Sequence, residues 1–190
     1  MFTVPTALTW ARILLIPLFV GVFFLPERTL VMADKNLTAT LVFIIAAVTD
    51  WLDGYLARTL NQTTAFGAFL DPVADKLMVA AALIMLVELD RTSTVIALII
   101  IGREITISAL REWMAKVGAA RSVAVSMIGK VKTTAQMIAI PMLLYYEPLF
   151  GIDVGFIGSK LIWIAAVLTV WSMVYYMRKA WPELRARKAI

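Results

Sequence analysis

The sequence predicts an all-α membrane protein in which six transmembrane helices form one bundle with both termini in the cytoplasm. Two of the supporting observations are compositional: 62% of the 190 residues are hydrophobic, and the mean hydropathy is +0.87. The third is that the apolar residues fall into six long segments. So apolar a chain is atypical of a soluble domain and favours repeated crossing of a membrane. Residues 1–190 are predicted to form a single domain.

Each apolar segment has roughly the 17–25 residues that a helix needs to cross the hydrocarbon core. In chain order, the predicted spans are Leu8–Leu25, Leu37–Leu56, Phe69–Val87, Thr94–Trp113, Met127–Tyr146 and Phe156–Met177. The first span is not typical of a signal peptide, because Arg12 and Pro17 lie inside it and no small-residue cleavage site follows.

The orientation follows from the basic residues between and after the spans. One side holds Arg111, Lys116, Arg121, Lys130, Lys132, Arg178, Lys179, Arg185, Arg187 and Lys188, and the other holds Arg28, Lys35, Arg91 and Lys160. Because cytoplasmic loops carry the excess of Lys and Arg, both termini and the connection 59–66 are predicted to be cytoplasmic. The net charge of +5 fits this basic face, and no basic patch with interleaved aromatic residues indicates nucleic-acid binding.

The chain contains no cysteine and no histidine. Disulfides, thiolate chemistry and catalysis by a Ser-His pair are therefore excluded. A bound metal ion would have oxygen ligands, which favour hard cations such as Mg²⁺ or Mn²⁺.

Four carboxylates lie close together in the sequence, inside or beside apolar segments. The pattern is Asp50-x-x-Asp53-Gly54-x-x-Ala57-Arg58, then eight residues, then Gly67-x-x-x-Asp71-x-x-x-Asp75. Positions 50, 53, 54 and 57 share one face of a helix, and positions 67, 71 and 75 share a face of the next. Two helix ends joined by a short polar turn would direct all four carboxylates into one cavity. Ionisable residues in a membrane segment are costly and usually functional.

Such a cluster of carboxylates needs cations, because like charges repel one another. Two divalent ions would balance four negative charges, and a pair of metal ions commonly stabilises phosphoryl transfer. Gly54, Ala57 and Gly67 leave room for a substrate to approach the backbone. The planar guanidinium of Arg58 suits a phosphate oxygen.

The four carboxylates allow two other interpretations. They could form buried ion pairs or face water at helix ends, but this does not explain their spacing with three small residues. They could also line a cation pathway in a transporter. That interpretation predicts broken helices or an internal repeat, and the sequence indicates neither.

These residues resemble, position by position, the signature of the CDP-alcohol phosphotransferase family. The chain is also similar, essentially throughout, to the bacterial branch that makes phosphatidylglycerophosphate. This similarity is carried by Val4-Pro5-Thr6-x-Leu8-Thr9-x-x-Arg12, Arg103-Glu104-Ile105-x-Ile107-Ser108-Ala109-Leu110-Arg111-Glu112-Trp113 and Ser126-x-x-Gly129-Lys130-x-Lys132-Thr133. Many relatives have Asn where this chain has Thr6.

The resemblance implies a six-helix homodimer in the bacterial inner membrane, among membrane lipids, with its active site facing the cytoplasm. It implies that an alcohol displaces CMP from CDP-diacylglycerol. The alcohol in this branch is sn-glycerol 3-phosphate, and serine or an inositol phosphate are alternatives within the family. The implied metal ligands, for two Mg²⁺ or Mn²⁺ ions, are Asp50, Asp53, Asp71 and Asp75, with Asp75 also the general base. The implied CDP-diacylglycerol site comprises Asp50, Gly54, Ala57, Arg58 and Gly67.

Four basic residues are candidates for binding the acceptor phosphate, which carries about two negative charges at neutral pH. Arg103 and Arg111 are eight residues apart, about 80° around a helix, so both can face one cavity. Lys130 and Lys132 are about 200° apart and cannot both face it, and Lys130 is the preferred one of the two. Alternatively, all four residues serve only the charge bias of cytoplasmic loops.

Overall fold

The computed structural model describes the backbone of residues 4–59, 65–116, 118 and 127–187. Within these ranges the chain forms six α-helices and no β-strand, which confirms the predicted all-α class. The helices are α1 (Val4–Phe23), α2 (Met32–Thr59), α3 (Ala65–Glu88), α4 (Thr94–Lys116), α5 (Met127–Tyr145) and α6 (Val154–Arg187).

Three of these helices are long and apolar enough to cross a membrane. The qualifying segments are Thr6–Phe23 in α1, Met32–Asp53 in α2 and Val154–Pro182 in α6. The other three helices carry charged residues within their apolar sequence, such as Asp71 in α3 and Arg103 in α4. The finding therefore supports a membrane protein without establishing six crossings.

Two helices differ most from the predicted spans. Helix α2 begins at Met32 rather than Leu37, and α6 continues to Arg187 rather than ending at Met177. With 34 residues, α6 is about 51 Å long, against about 30 Å for the hydrocarbon core. Its C-terminal part therefore extends well past the length that a crossing requires.

Side-chain caps begin two of the helices. The Oγ atom of Ser93 accepts a hydrogen bond from the Ile96 N–H at the start of α4, at 3.3 Å. Oδ1 of Asp153 does the same for the Phe156 N–H at the start of α6, at 2.9 Å. Such caps satisfy backbone donors that have no partner inside the helix.

The core lies between α1, α2, α3, α4, α5 and α6 and contains many small residues. Its buried members include Phe19, Ala39, Phe43, Ala46, Met78, Ala82, Leu83, Leu86, Ile96, Ile100, Ala139, Ile140, Leu143, Ile162 and Ala166. Small residues let helix backbones approach closely, as they do between membrane helices. Large apolar side chains such as Leu14, Ile45, Ile84 and Leu98 point outward, as expected for a surface in contact with lipid.

At one end of the bundle, two cations bind the C-terminal carbonyl groups of helices. Lys35 Nζ donates to the carbonyl oxygens of Phe23 and Leu25, at 3.3 and 2.5 Å. Arg91 donates to the carbonyl oxygens of Leu143 and Leu144, at 3.1 and 2.7 Å. A helix C-terminus carries partial negative charge, so these contacts are favourable. Lys35 and Arg91 thus have structural roles on the side predicted to face away from the cytoplasm.

Helices α5 and α6 pack tightly against each other at Gly158. A Cβ atom there would lie 3.0 Å from Leu143 Cγ and 3.0 Å from Met142 Cβ. We expect Gly158→Ala to lower the melting temperature in detergent, because crowding of this kind typically costs about 1–3 kcal/mol. Gly21→Ala is the matched control, since a Cβ atom at Gly21 meets nothing within 4 Å. Equal melting temperatures for the two variants would contradict the prediction.

Candidate active site

The polar side chains predicted to be functional gather at the end of the bundle opposite the Lys35 and Arg91 caps. They lie near the start of α1, the end of α2, the start of α3, the second half of α4 and the start of α5. Because consecutive helices run in alternating directions, these segments meet at one end. Contacts from α1 to α2 and α3, and from α4 to α5 and α6, hold them together.

Arg12 of α1 binds the two carboxylates of α2. Its Nη1 atom lies 2.8 Å from Asp50 Oδ1, and its Nη2 atom donates to Asp53 Oδ2. Arg12 and Asp53 are almost completely buried, at 1% and 3% exposure, whereas the Asp50 side chain is 43% exposed. Asp50 is therefore the more accessible carboxylate of the pair.

The two carboxylates of α3 complete this acidic cluster. The buried Thr9 hydroxyl, one turn before Arg12, donates a hydrogen bond to Asp71 Oδ1. Asp75 is partly buried and lies close enough to Asp50 and Arg12 for Coulombic interaction. Asp53 interacts in the same way with Asp71. The structure thus brings together all four carboxylates that the sequence singled out.

The small residues of the motif are described less completely. Gly67 is buried near the start of α3. Gly54, Ala57 and Arg58 lie on the last two turns of α2, but their side chains fall outside the described part of the structure. Among the residues whose side chains are described, no three acidic groups converge closely enough to hold one metal ion.

A second polar cluster centres on Glu104 of α4. Lys132 Nζ of α5 donates to Glu104 Oε1, and Arg103 Nη1 lies 3.6 Å from the same oxygen. Lys132 is fully buried, and Arg103 is 7% exposed. A charge buried in this way is retained only when it is paired. Glu104 therefore fixes both cations in the interior, and it lies within Coulombic range of Asp75.

Tyr176 of α6 packs against the two arginines of this second cluster. Its fully buried ring lies under both guanidinium groups, with Arg103 Cζ at 5.7 Å and Arg111 Cζ at 5.2 Å from the ring centroid. Such stacking of a cation on an aromatic ring is attractive. Arg103 Nη2 also donates to Ser172 Oγ, at 3.1 Å. The ring therefore orients both arginines, and the Ser172 hydroxyl orients Arg103.

A cavity of about 680 Å³ opens between α3 and α4 beside the Glu104 cluster. Its polar lining comes from Lys76, Glu104, Ser108, Arg111 and Glu112, and the rest of its lining is apolar. Arg111 Nε is buried without a hydrogen-bond partner among the described residues. Arg111 is thus the basic residue of the cluster that combines an unsatisfied donor with access to open space.

The structure separates the four candidate acceptor-binding residues. Arg103, Arg111 and Lys132 lie within Coulombic range of one another, whereas Lys130 is exposed. Helical spacing correctly predicted that Lys130 and Lys132 point apart. The preference for Lys130 as the inward-facing lysine is wrong, because Lys132 is the one that pairs with Glu104.

Comparison with known proteins points to one family. Residues 2–171 match the sequence model of the CDP-alcohol phosphatidyltransferase family. The chain belongs to this family. Three of its relatives are named CDP-diacylglycerol–glycerol-3-phosphate 3-phosphatidyltransferase and come from Shigella flexneri serotype 5b, Salmonella typhimurium and Escherichia coli K12. Each is 52% identical over 185 residues, which cover 96% of this chain and 97% of the relative.

Within this CDP-alcohol phosphatidyltransferase, several residues at the site had no predicted role. Arg12, Thr9 and Glu104 belong to the stretches that carry the resemblance, whereas Tyr176 lies outside them. Arg12 could have been found, because an arginine within an apolar helix needs a buried carboxylate partner. The partners of Ser172 and Tyr176 depend on helix rotation, which the sequence does not indicate.

Proposed function

We propose that this enzyme transfers the phosphatidyl group of CDP-diacylglycerol to sn-glycerol 3-phosphate, giving phosphatidylglycerophosphate and CMP. The observation that carries the proposal is 52% identity over 96% of the chain to relatives named for this activity. The geometry supports it, because an acidic cluster suited to the divalent cations that a diphosphate requires lies beside a basic cluster suited to an acceptor phosphate.

The acidic cluster is proposed to hold two divalent cations, Mg²⁺ or Mn²⁺, through Asp50, Asp53, Asp71 and Asp75. Dependence on divalent cations is general in this family. The donor chemistry fits, because carboxylate oxygens suit hard cations and the chain contains no nitrogen or sulfur ligand from His or Cys. A carboxylate has two oxygens, and each contact from Arg12 or Thr9 uses one of them. The second oxygen of Asp50, Asp53 and Asp71 is the one proposed to bind a cation.

In the proposed reaction, the acceptor hydroxyl oxygen forms a bond to the phosphatidyl phosphorus as the bond from that phosphorus to CMP breaks. Bound cations would neutralise the diphosphate and the departing CMP. Asp75 takes the proton of the acceptor hydroxyl. It is suited to this role because it lies within Coulombic range of both Asp50 in the acidic cluster and Glu104 in the basic cluster.

The nucleotide and its diphosphate are assigned to the end of α2 and the start of α3. Asp50, Gly54, Ala57, Arg58 and Gly67 are proposed to line this site. The partial exposure of Asp50 supports access of a substrate to this site. The lack of side-chain bulk at the glycines would allow the substrate to approach the helix backbone.

The acceptor phosphate is assigned to the Glu104 cluster. Three cations, Arg103, Arg111 and Lys132, surround one carboxylate there, so two positive charges remain. This excess matches the roughly two negative charges of glycerol 3-phosphate. Arg111 is proposed to bind the phosphate directly, Arg103 and Lys132 to contribute from the interior, and the exposed Lys130 to act at the rim.

The proposal includes six membrane crossings within one domain of residues 1–190. Both termini and the active site would face the cytoplasm of a bacterium, in its inner membrane, and the enzyme would be a homodimer surrounded by lipid. Charged residues in α3, α4 and α5 pair inside the bundle, which makes their insertion less costly. The positions of the basic residues support the orientation.

A panel of acceptors tests the proposed function. The purified full-length protein in detergent would receive CDP-diacylglycerol and Mg²⁺, with glycerol 3-phosphate, serine or inositol phosphate, and CMP release would be measured. CMP release that occurs with glycerol 3-phosphate and with neither of the other two acceptors supports the proposal. Release with serine or inositol phosphate instead would move the enzyme to another acceptor within its family. No release with any acceptor, together with cation loading into vesicles, would favour a transporter.

Removal of divalent cations should abolish activity. We expect CMP release to cease in EDTA and to return with Mg²⁺ or Mn²⁺, because hard oxygen ligands bind these ions. A matched incubation with EDTA already saturated by Mg²⁺ separates chelation from a direct effect of EDTA on the protein. Full turnover in metal-free buffer would exclude the two-cation proposal.

A further inference from the structure

We propose that Arg12 is a built-in counter-ion of the acidic cluster, which stabilises the carboxylates before divalent cations bind and competes with those cations afterwards. This inference deepens the proposed function and rests on its metal-binding part. It concerns a positioning residue, because Arg12 would act through Asp50 and Asp53 rather than on a substrate.

The geometry places Arg12 where a cation has the greatest effect. Its two terminal nitrogens reach different carboxylates, Nη1 to Asp50 and Nη2 to Asp53, so it connects the exposed member of the cluster to the buried one. Asp75 also lies within Coulombic range of Arg12. One guanidinium, at 1% exposure, thus interacts with three of the four carboxylates.

The cost of burying this arginine indicates a specific role. A charge within a membrane segment is expensive, and packing alone would be served by an apolar side chain. In return, Arg12 reduces the repulsion between carboxylates that lie within Coulombic range of one another. The chain can therefore fold with the acidic cluster in place, whether or not divalent cations are present.

The same contacts must oppose metal binding. Arg12 holds one oxygen of Asp50 and one of Asp53, and its positive charge repels a cation brought to the same groups. Without Arg12, the metal-free protein has no counter-ion for the carboxylates. In the metal-bound protein, the divalent cations supply the positive charge instead. Removal of Arg12 should therefore tighten metal binding. Because a ligand stabilises the folded protein more as its Kd falls, bound metal should also stabilise the variant more than it stabilises the wild type.

The test compares Arg12→Gln with the wild type and with Lys35→Gln. Lys35 is a matched control, because it is also a buried cation but binds carbonyl groups at the other end of the bundle. The melting temperature of each full-length protein would be measured in EDTA and in saturating Mg²⁺. The Kd for Mn²⁺ alone would be measured by electron paramagnetic resonance. Arg12→Lys keeps the positive charge but loses the two-nitrogen guanidinium that contacts both carboxylates. It is informative even if Arg12→Gln does not fold.

We expect Mg²⁺ to raise the melting temperature of Arg12→Gln more than that of the wild type. Mn²⁺ should bind the variant about tenfold more tightly, within the range of typical coupling between two binding events. Arg12→Lys should change both quantities in the same direction and by less. Lys35→Gln should lower the melting temperature equally in EDTA and in Mg²⁺.

Two results would overturn the inference, and they differ from failure of the proposed function. If Mn²⁺ binds the wild type but the Arg12 variants respond to metal as Lys35→Gln does, Arg12 is only structural. If Mn²⁺ binds the variants more weakly than the wild type, Arg12 supports ligand geometry and does not compete with the ions. If the wild type binds no Mn²⁺, the metal-binding proposal fails, and the role of Arg12 as a competitor fails with it.

Discussion

Asp75→Asn should abolish CMP release while leaving the protein folded. The substitution keeps the shape of the side chain but removes its charge and its ability to accept the proton of the acceptor hydroxyl. Loss of a general base typically costs about 10²–10⁴-fold in rate, and loss of a metal ligand would add to this. Single-turnover CMP release, with both substrates saturating, measures the chemical step directly.

The control for this variant is Asp34→Asn, which makes the same chemical change at an exposed position in the first turn of α2. It should retain wild-type turnover. Melting temperatures of both variants would show that the protein remains folded. If Asp75→Asn kept a rate within about tenfold of the wild type, which is less than a general base usually contributes, Asp75 could not be the base.

The sequence predicted the helices well because membrane segments have a strong compositional signal. It predicted their ends less well at α2 and α6. Predicted spans stop where charged residues such as Lys35 or Arg178 appear, because hydropathy indicates the edge of the hydrocarbon core. The helices themselves continue, since Lys, Arg, Ala, Leu and Glu are good helix formers in water as well, and α6 continues even through Pro182. The residue at which a span leaves the hydrocarbon core is therefore not the residue at which its helix ends.

The carboxylates were predictable because spacing alone places them on common helix faces. Their contacts were not predictable in the same way. The approach of Arg12 to Asp50 and Asp53, and of Thr9 to Asp71, depends on how α1 packs against α2 and α3. No local pattern in the sequence specifies this packing, because any rotation of α1 would bury a similar apolar surface.

The two lysines of α5 show the same limit. Helical period established that Lys130 and Lys132 point in different directions, but it could not establish which of them faces inward. The buried partner decides this, since Glu104 on α4 and Lys132 satisfy each other in the interior. A prediction of that pairing would have required the rotation of α4 and α5 relative to each other.

Arg111→Ala should weaken glycerol 3-phosphate binding selectively. Arg111 lines the cavity beside Glu104, and its Nε atom has no hydrogen-bond partner within the described residues. A hydrogen bond to a charged group contributes about 1.5–3 kcal/mol, so the KM for glycerol 3-phosphate should rise about 10–150-fold. The KM for CDP-diacylglycerol should change much less, because that substrate is assigned to α2 and α3.

Two further variants separate phosphate binding from structural support. Arg103→Ala should also raise the KM for glycerol 3-phosphate, but it should lower the melting temperature more than Arg111→Ala does. The reason is that Arg103 contacts Ser172 and the carboxylate of Glu104, which would lose a partner in the interior. Lys130→Ala removes the positive charge proposed at the rim, and it should raise the KM for glycerol 3-phosphate less than Arg111→Ala does, because Lys130 is exposed. Equal and small effects of all three variants on both substrates would leave these residues as topological charges, and the acceptor site would then have to lie elsewhere.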